Sequence, residues 1–257
     1  LFLIVIIIGV IDDFKNINPQ LKLIALLVPI YIFTKDVSIV KSLGVYGDKN
    51  FALGPLSFVF TLLSIFLLTN AYNYIDGLDG LLVINLIITF LTFLFFNKFE
   101  INFLIPFILF LSVYFLYNIN FLKLFPKQFL GNSGSLGFGF LVSILIIIFT
   151  QSQKIVHPSI IIWAVAFVVY EFLSINIIRI KKKKNIFKRD LNFIFNLFAK
   201  KYNSKISLML CTIIHILLSS IGIIMNLYKS YSVSLSLFIL LFFCYLYFRM
   251  KQMQSND

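Results

Sequence analysis

The sequence NAYNYIDGLDGL at residues 70–81, together with the pair Asp12-Asp13, decides how this chain is interpreted. Each stretch places paired carboxylates at the edge of an apolar segment long enough to cross a bilayer. A charged side chain at membrane depth costs about 2.5–3.5 kcal/mol on insertion scales. Four carboxylates in two tight clusters therefore predict a divalent cation and phosphate chemistry at the membrane surface.

The composition excludes a soluble globular protein. Of 257 residues, 60% are apolar and only 12% are charged, whereas about 25% is usual for soluble domains. We therefore expect a polytopic membrane protein with lipid around it. The net charge of +12 is attributed to membrane topology, and nucleic acid is not an expected partner. The chain opens at Leu1 inside an apolar run, so we expect it to be truncated at the N-terminus.

Apolar runs predict an all-α fold with about nine transmembrane helices in one domain covering residues 1–257. A span needs about 20 mostly apolar residues. Between two of these runs, glycines and short apolar segments at 36–54 predict a small exposed β-hairpin on the exported side. The runs are 1–11, 21–35, 56–72, 81–97, 101–117, 136–150, 159–179, 206–227 and 231–248.

The distribution of lysine and arginine predicts the orientation. Most of the 22 basic residues fall in alternate connections, which include a basic cytoplasmic loop at 180–205, and every polar motif falls on the same side. This places one site on the cytoplasmic face of a bacterial inner membrane. The run Lys181-Lys182-Lys183-Lys184 within the loop is sufficiently explained by binding to anionic lipid, worth about 1 kcal/mol per charge.

The two acidic clusters differ in how strongly they indicate function. Adjacent carboxylates such as Asp12 and Asp13 repel each other unless a cation or a donor compensates, but two solvated aspartates at a helix end would look the same. In the second cluster, polar residues recur every third position and line one face if the stretch is helical. Helix caps explain one or two of them, not the full set Asn70, Asn73, Asp76 and Asp79.

A third motif, FLGNSGSLG at 129–137, is a glycine-rich loop that opens an apolar helix. Backbone amides at a helix N-terminus form an anion site. Glycines here serve close helix packing equally well, so this motif alone leaves both interpretations open.

Together the motifs resemble the polyprenyl-phosphate N-acetylhexosamine-1-phosphate transferases of glycosyltransferase family 4. The resemblance runs from Gly9 to about Lys201, and members of the family have ten or eleven spans. The chain looks more like the undecaprenyl-phosphate N-acetylglucosamine-type branch. The resemblance implies an enzyme that transfers a sugar-1-phosphate from a UDP-N-acetylhexosamine to polyprenyl phosphate, releasing UMP, with Mg²⁺ (or Mn²⁺) as cofactor. A homodimer is left open.

The resemblance also implies roles for individual residues. One member of the aspartate pair activates or positions the lipid phosphate, while the later motifs hold the nucleotide and the metal. The implied sets are Asp12 and Asp13 as catalytic residues; Lys22, Asn70, Asp76, Asp79, Asn118 and Arg189 for substrate or nucleotide; and Asn73, Asp76 and Asn132 for the metal.

Two departures from the family pattern keep alternatives open. The family's GDxGS loop has a metal-binding aspartate where this chain has Asn132, and the histidines that follow its aspartate-arginine pair are absent after Arg189-Asp190. A non-catalytic homologue that binds lipid phosphate or nucleotide-sugar is therefore the second hypothesis, and a transporter is a weaker third. Glu171, near a family aspartate, either orients loop residues or pairs with Arg179.

Overall fold

The computed structural model describes residues 1–15, 17–96, 103–120, 128–184 and 192–254. Within these residues a helix covers each of the nine apolar runs, which confirms the all-α prediction. Their bounds are α1 Phe2–Lys15, α2 Pro19–Asp36, α3 Ser57–Ile75, α4 Leu81–Phe96, α5 Leu104–Asn118, α6 Gly131–Ile147, α7 Pro158–Ile161, α8 Ala166–Lys181, α9 Ile194–Lys201, α10 Ser204–Leu227 and α11 Tyr231–Gln254.

Length and composition make this a multi-pass membrane protein. Five helical segments among the described residues are long and apolar enough to cross a membrane, and two shorter apolar helices, α4 and α5, accompany them. Three of the long segments are composite. A 3₁₀ turn, Gly54–Leu56, precedes α3. A π-helical turn, Ile148–Ser152, extends α6, and a 3₁₀ turn, Ile162–Val165, joins α7 to α8.

The predicted hairpin is present and marks one end of the bundle. Strand β1, Ser42–Tyr46, pairs antiparallel with β2, Lys49–Ala52. Gln151 fastens the hairpin to the end of α6, because its Nε2 donates to the Ser42 carbonyl at 3.0 Å. His157, at the start of α7, contacts the Val45 backbone at 3.2 Å. We call this the hairpin end.

Close packing around α6 determines where the polar motifs meet. This helix packs against α1 and α3, and glycines allow the approach. A β-carbon at Gly9 of α1 would lie 2.6 Å from the Ser133 nitrogen, and one at Gly139 of α6 would lie 2.9 Å from the Thr69 carbonyl oxygen. Small residues permit such contacts where lipid provides no hydrophobic drive for helix association. As a result, the ends of α1 and α3 lie beside the start of α6.

Candidate functional site

The sequence motifs meet opposite the hairpin, at what we call the basic end: the ends of α1 and α3 and the starts of α2 and α6. Asn18 caps α2 by accepting from the Gln20 amide at 3.0 Å, which begins that helix just before Lys22. Lys22 and Asp12 then form an ion pair of 2.9 Å. The other oxygen of Asp12 accepts from the Ile17 amide at 3.0 Å. Asp12 is only 6% exposed, so its charge is compensated within the protein.

Asp13 occupies the N-terminus of α6. Its carboxylate accepts from the backbone amides of Asn132 at 2.8 Å and Ser133 at 3.1 Å. Helix N-termini favour negative charge because their first amides lack partners within the helix. Gly131 has a φ of +64°, and a β-carbon there would lie 2.7 Å from the carboxylate, so the glycine makes room for Asp13. The predicted anion site of the glycine-rich loop thus receives a carboxylate of the same chain.

Asn132 links the two aspartates to α3. Its side-chain oxygen accepts from Asn73 Nδ2 at 2.8 Å and from Lys22 Nζ at 3.4 Å. Its Nδ2 donates to Asp13 Oδ1 at 2.9 Å. We call Asp12, Asp13, Lys22, Asn73 and Asn132 the carboxylate–amide network. An amide suits this position because it presents an acceptor to two donors and a donor to a carboxylate.

The turn after α3 corrects one prediction. The helix ends at Ile75, and Asp76 has a non-helical ψ of 62°, so only Asn70 and Asn73 share a helical face. Asp76 and Asp79 lie half-buried in the following turn, which we call the carboxylate turn (76–80). Gly80, with a φ of +78°, lets the chain reverse there into α4.

The remaining predicted site residues lie outside the network. The Asn118 oxygen accepts from the Gly80 amide at 2.5 Å, and its Nδ2 donates to the Gln128 carbonyl at 2.5 Å. Asn118 therefore joins the carboxylate turn to the segment before α6. Asn70 Nδ2 donates to Phe66 of its own helix at 2.7 Å. Arg189 lies outside the described residues.

The predicted basic loop at 180–205 contains an unpredicted helix, α9. Its apolar side is buried at Ile194 and Phe195, whereas Lys200 and Lys201 are exposed. A β-carbon at Gly77 would lie 2.9 Å from the Phe195 ring, which places this ring against the carboxylate turn. The segment is helical because its apolar residues recur at helical spacing and find apolar surface to cover, a signal that the sequence already contained.

Glu171 has a partner that the sequence did not indicate. On α8, its Oε1 accepts from Arg249 of α11 at 3.1 Å and from the Ile194 amide at 2.7 Å. Of the two open alternatives, orientation of the loop is therefore supported. The guanidinium of Arg179 instead lies over the rings of Tyr74 and Phe193, 5.7 Å and 5.6 Å from their centroids.

The comparisons with known proteins agree with these motifs. Residues 1–150 match the model of glycosyl transferase family 4. The chain belongs to this family. It is similar to the undecaprenyl-phosphate alpha-N-acetylglucosaminyl 1-phosphate transferase of Escherichia coli strain K12, with 28% identity over 95% of this chain and 70% of the relative. The enzyme of that name from Yersinia pestis is 27% identical over 86% of this chain and 63% of the relative. The one from Salmonella typhi is 26% identical over 95% of this chain and 70% of the relative.

The donor chemistry of this family 4 site suits magnesium shared with a substrate. Among the described residues, no group of three or more histidine, cysteine, aspartate or glutamate side chains is arranged to hold a metal ion. The network nevertheless supplies carboxylate and amide oxygens, which are the ligands Mg²⁺ prefers. Mg²⁺ is usually bound by one or two carboxylates together with waters and substrate phosphates rather than by an all-protein cage. The residues present fit that second kind of site.

Proposed function

We propose that this family 4 chain transfers N-acetylhexosamine-1-phosphate, or a related sugar-1-phosphate, from a UDP-sugar to a polyprenyl phosphate such as undecaprenyl phosphate, releasing UMP. The carboxylate–amide network at one end of a membrane bundle is the observation that carries this proposal. A site there serves a lipid whose phosphate must meet a water-soluble nucleotide. The excess of lysine and arginine at the basic end favours the cytoplasmic face of a bacterial inner membrane.

The proposed chemistry needs little covalent participation by the protein. An oxygen of the lipid phosphate attacks the phosphorus that carries the sugar, the bond from this phosphorus to the bridging oxygen breaks, and UMP leaves with that oxygen. Positioning and neutralisation of charge supply most of the catalysis in such transfers. We assign Lys22 to charge neutralisation, and either Asp12 or Asp13 to orienting the lipid phosphate or removing its proton.

The start of α6 offers donors for phosphate oxygens. The amides of Asn132 and Ser133 now bind Asp13, and a phosphate has the same preference for a helix N-terminus. We propose that Asn73, Asp76 and Asn132 hold Mg²⁺, with Mn²⁺ as an alternative. When bound, the ion neutralises charge on the pyrophosphate. Asn70, Asp79, Asn118 and Arg189 remain proposed nucleotide-binding or positioning residues.

An apolar cavity in the bundle supports a proposal for where the lipid tail binds. It has a volume of about 410 Å³ and lies between α3, α6 and α8, with Ile65, Leu68, Ile146 and Val169 in its wall. Ala71 also lines it, two residues from Asn73 of the network. The polyprenyl chain leaves lipid rather than water, so an apolar wall receives it without a desolvation penalty and without a large hydrophobic gain. We propose that part of the polyprenyl chain binds there.

Release of UMP tests the proposal. The purified protein in detergent is supplied with polyprenyl phosphate, Mg²⁺ and each member of a panel of UDP-N-acetylhexosamines. We expect turnover that Asp13→Asn abolishes and that Asp48→Asn, which removes an exposed carboxylate on the hairpin, leaves intact. Binding of nucleotide-sugar without UMP release from any donor would favour the non-catalytic homologue instead.

A further inference from the structure

We propose that Glu171 and Arg249 are positioning residues, through which the C-terminal helix α11 holds residues 192–201 against the carboxylate turn. The inference rests on the proposed function in one respect, namely that this turn serves the nucleotide-sugar. The structural part, that the ion pair docks the segment, stands on contacts that do not depend on the reaction.

A single buried carboxylate joins three elements. Glu171 of α8 and Arg249 of α11 are both 0% exposed and lie 3.1 Å apart. Glu171 also accepts from the Ile194 amide of α9 at 2.7 Å and from the Tyr245 hydroxyl of α11 at 2.6 Å. Arg249 donates in addition to the carbonyl of Asn192. The pair thus holds the chain on both sides of Phe193, immediately before α9 begins.

The docked segment contacts the carboxylate turn directly. Phe195 lies against Gly77, between Asp76 and Asp79 in sequence, and stacks on Phe193 with ring centroids 5.2 Å apart. Its carbonyl accepts from Ser207 of α10 at 2.6 Å. A displacement of residues 192–195 would therefore remove the surface on which the turn rests.

Stability alone does not account for the ion pair. Removing two charges from water is so unfavourable that apolar residues of similar volume often replace a buried pair without loss. Here Nε and Nη1 of Arg249 have no hydrogen-bond partner among the described residues, which adds a further penalty. An apolar pair would fill the space, but it would not accept from the Ile194 amide. Fixing the position of that amide is what the carboxylate specifically contributes.

The test replaces the pair by apolar residues in the full chain. The double variant Glu171→Leu/Arg249→Met is compared with Tyr170→Phe, which removes a hydrogen bond of 2.6 Å to Phe238 in the same α8–α11 interface and leaves α9 untouched. We expect the double variant to keep the thermal midpoint of the parent. We expect its KM for UDP-sugar to rise about 10–100-fold, in keeping with misplacement of a binding group by about 1 Å, while its KM for polyprenyl phosphate changes less than about twofold. Tyr170→Phe should change neither KM value. Glu171→Gln keeps an acceptor for the Ile194 amide, so its KM for UDP-sugar should stay near that of the parent, while its thermal midpoint should fall because Arg249 is left buried without a counter-charge.

Hydrogen exchange separates this inference from the proposed function. Peptides covering 192–201 should exchange faster in the double variant than in the parent or in Tyr170→Phe. Faster exchange in a protein that releases no UMP would support docking and leave only the proposed reaction refuted. The positioning role would be overturned if exchange of 192–201 in the double variant equals that of the parent. It would also be overturned if both KM values of the double variant rise equally and its thermal midpoint falls.

Discussion

Replacing Asn132 by aspartate should make the stability of this protein depend on magnesium. In the parent, Asn132 Nδ2 donates to Asp13 Oδ1 at 2.9 Å while its oxygen accepts from Asn73 and Lys22. Asn132→Asp keeps the acceptor and replaces the donor by a second carboxylate oxygen. The contact to Asp13 then changes from attraction to repulsion.

The distances allow an estimate of the effect. Loss of a hydrogen bond to a charged group accounts for about 1.5–3 kcal/mol. Two unit charges at this separation repel by about 1.5 kcal/mol in bulk water and by about 5–6 kcal/mol at an effective dielectric constant of 20. Asp13 is exposed, which favours the lower figure, and Lys22 at 3.4 Å offsets part of it. We therefore expect the variant to lose about 2–4 kcal/mol of unfolding free energy in a chelating buffer.

A magnesium ion shared by the two carboxylates would reverse this loss. At a free Mg²⁺ concentration of 100 times the dissociation constant, binding stabilises a protein by about 2.7 kcal/mol. The assay is the thermal midpoint of parent and variant with EDTA and across a Mg²⁺ titration. Asn50→Asp, which adds the same charge on the exposed hairpin, is the matched control.

Two results would refute this reasoning. If Asn132→Asp has the midpoint of the parent in EDTA, the amide does not bridge Asp13 to the rest of the network. If Mg²⁺ raises the midpoints of the parent, the variant and the hairpin control by the same amount, the ion does not bind between positions 13 and 132.

Three further predictions follow from single contacts. Lys22→Met leaves the buried carboxylate of Asp12 unpaired and should lower the unfolding free energy by about 2–4 kcal/mol. Thermal unfolding measures this loss, and the double variant Asp12→Asn/Lys22→Met should recover most of it. Burial lowers the pKa of His157 below its usual 6.5. The stability that neutral His157 gives the hairpin is therefore present above that pH and is lost as the pH falls through the lowered value. Protection of the hairpin amides, measured as their exchange relative to the intrinsic rate at the same pH, should fall on acidification and lose this dependence in His157→Phe. Gly9→Ala forces a methyl group against the backbone of α6 and should cost about 1–3 kcal/mol, measured beside the milder Gly137→Ala, whose nearest contact is an isoleucine side chain at 3.0 Å.

The helices and the hairpin were predictable because their signals are local. Apolar length predicts a span because the bilayer must be crossed, and the described part of each of the nine runs is helical. Glycines between short apolar segments marked the hairpin at 42–52. Local signals were weaker at boundaries. The three-residue spacing of the polar residues continued past Ile75, but the helix did not, since Gly77 and Gly80 favour a turn.

The sequence predicted that the polar motifs lie together at one end of the bundle, but not the contacts among them. The alternation of connections rich in lysine and arginine placed Asp12, Asp13, Lys22 and Asn132 on the same side. That Asp13 lies on the N-terminus of α6 depends on how closely α1 and α6 pack, which no local pattern records. The same holds for Glu171 and Arg249, which are 78 positions apart and carried no shared motif.

Position 132 shows how one side chain affects both the electrostatics and the proposed chemistry. An amide joins an ammonium, a second amide and a carboxylate in one hydrogen-bonded set, because it donates and accepts at once. A carboxylate at the same place accepts from Lys22 and Asn73 but repels Asp13, and it needs a cation to remain there. The asparagine thus reduces the negative charge offered to magnesium while keeping the start of α6 attached to α1 and α3. We therefore expect the parent to bind Mg²⁺ more weakly than Asn132→Asp while keeping Asp12 and Asp13 in place. The magnesium titration of the two proteins measures the first expectation, and their thermal midpoints in EDTA measure the second.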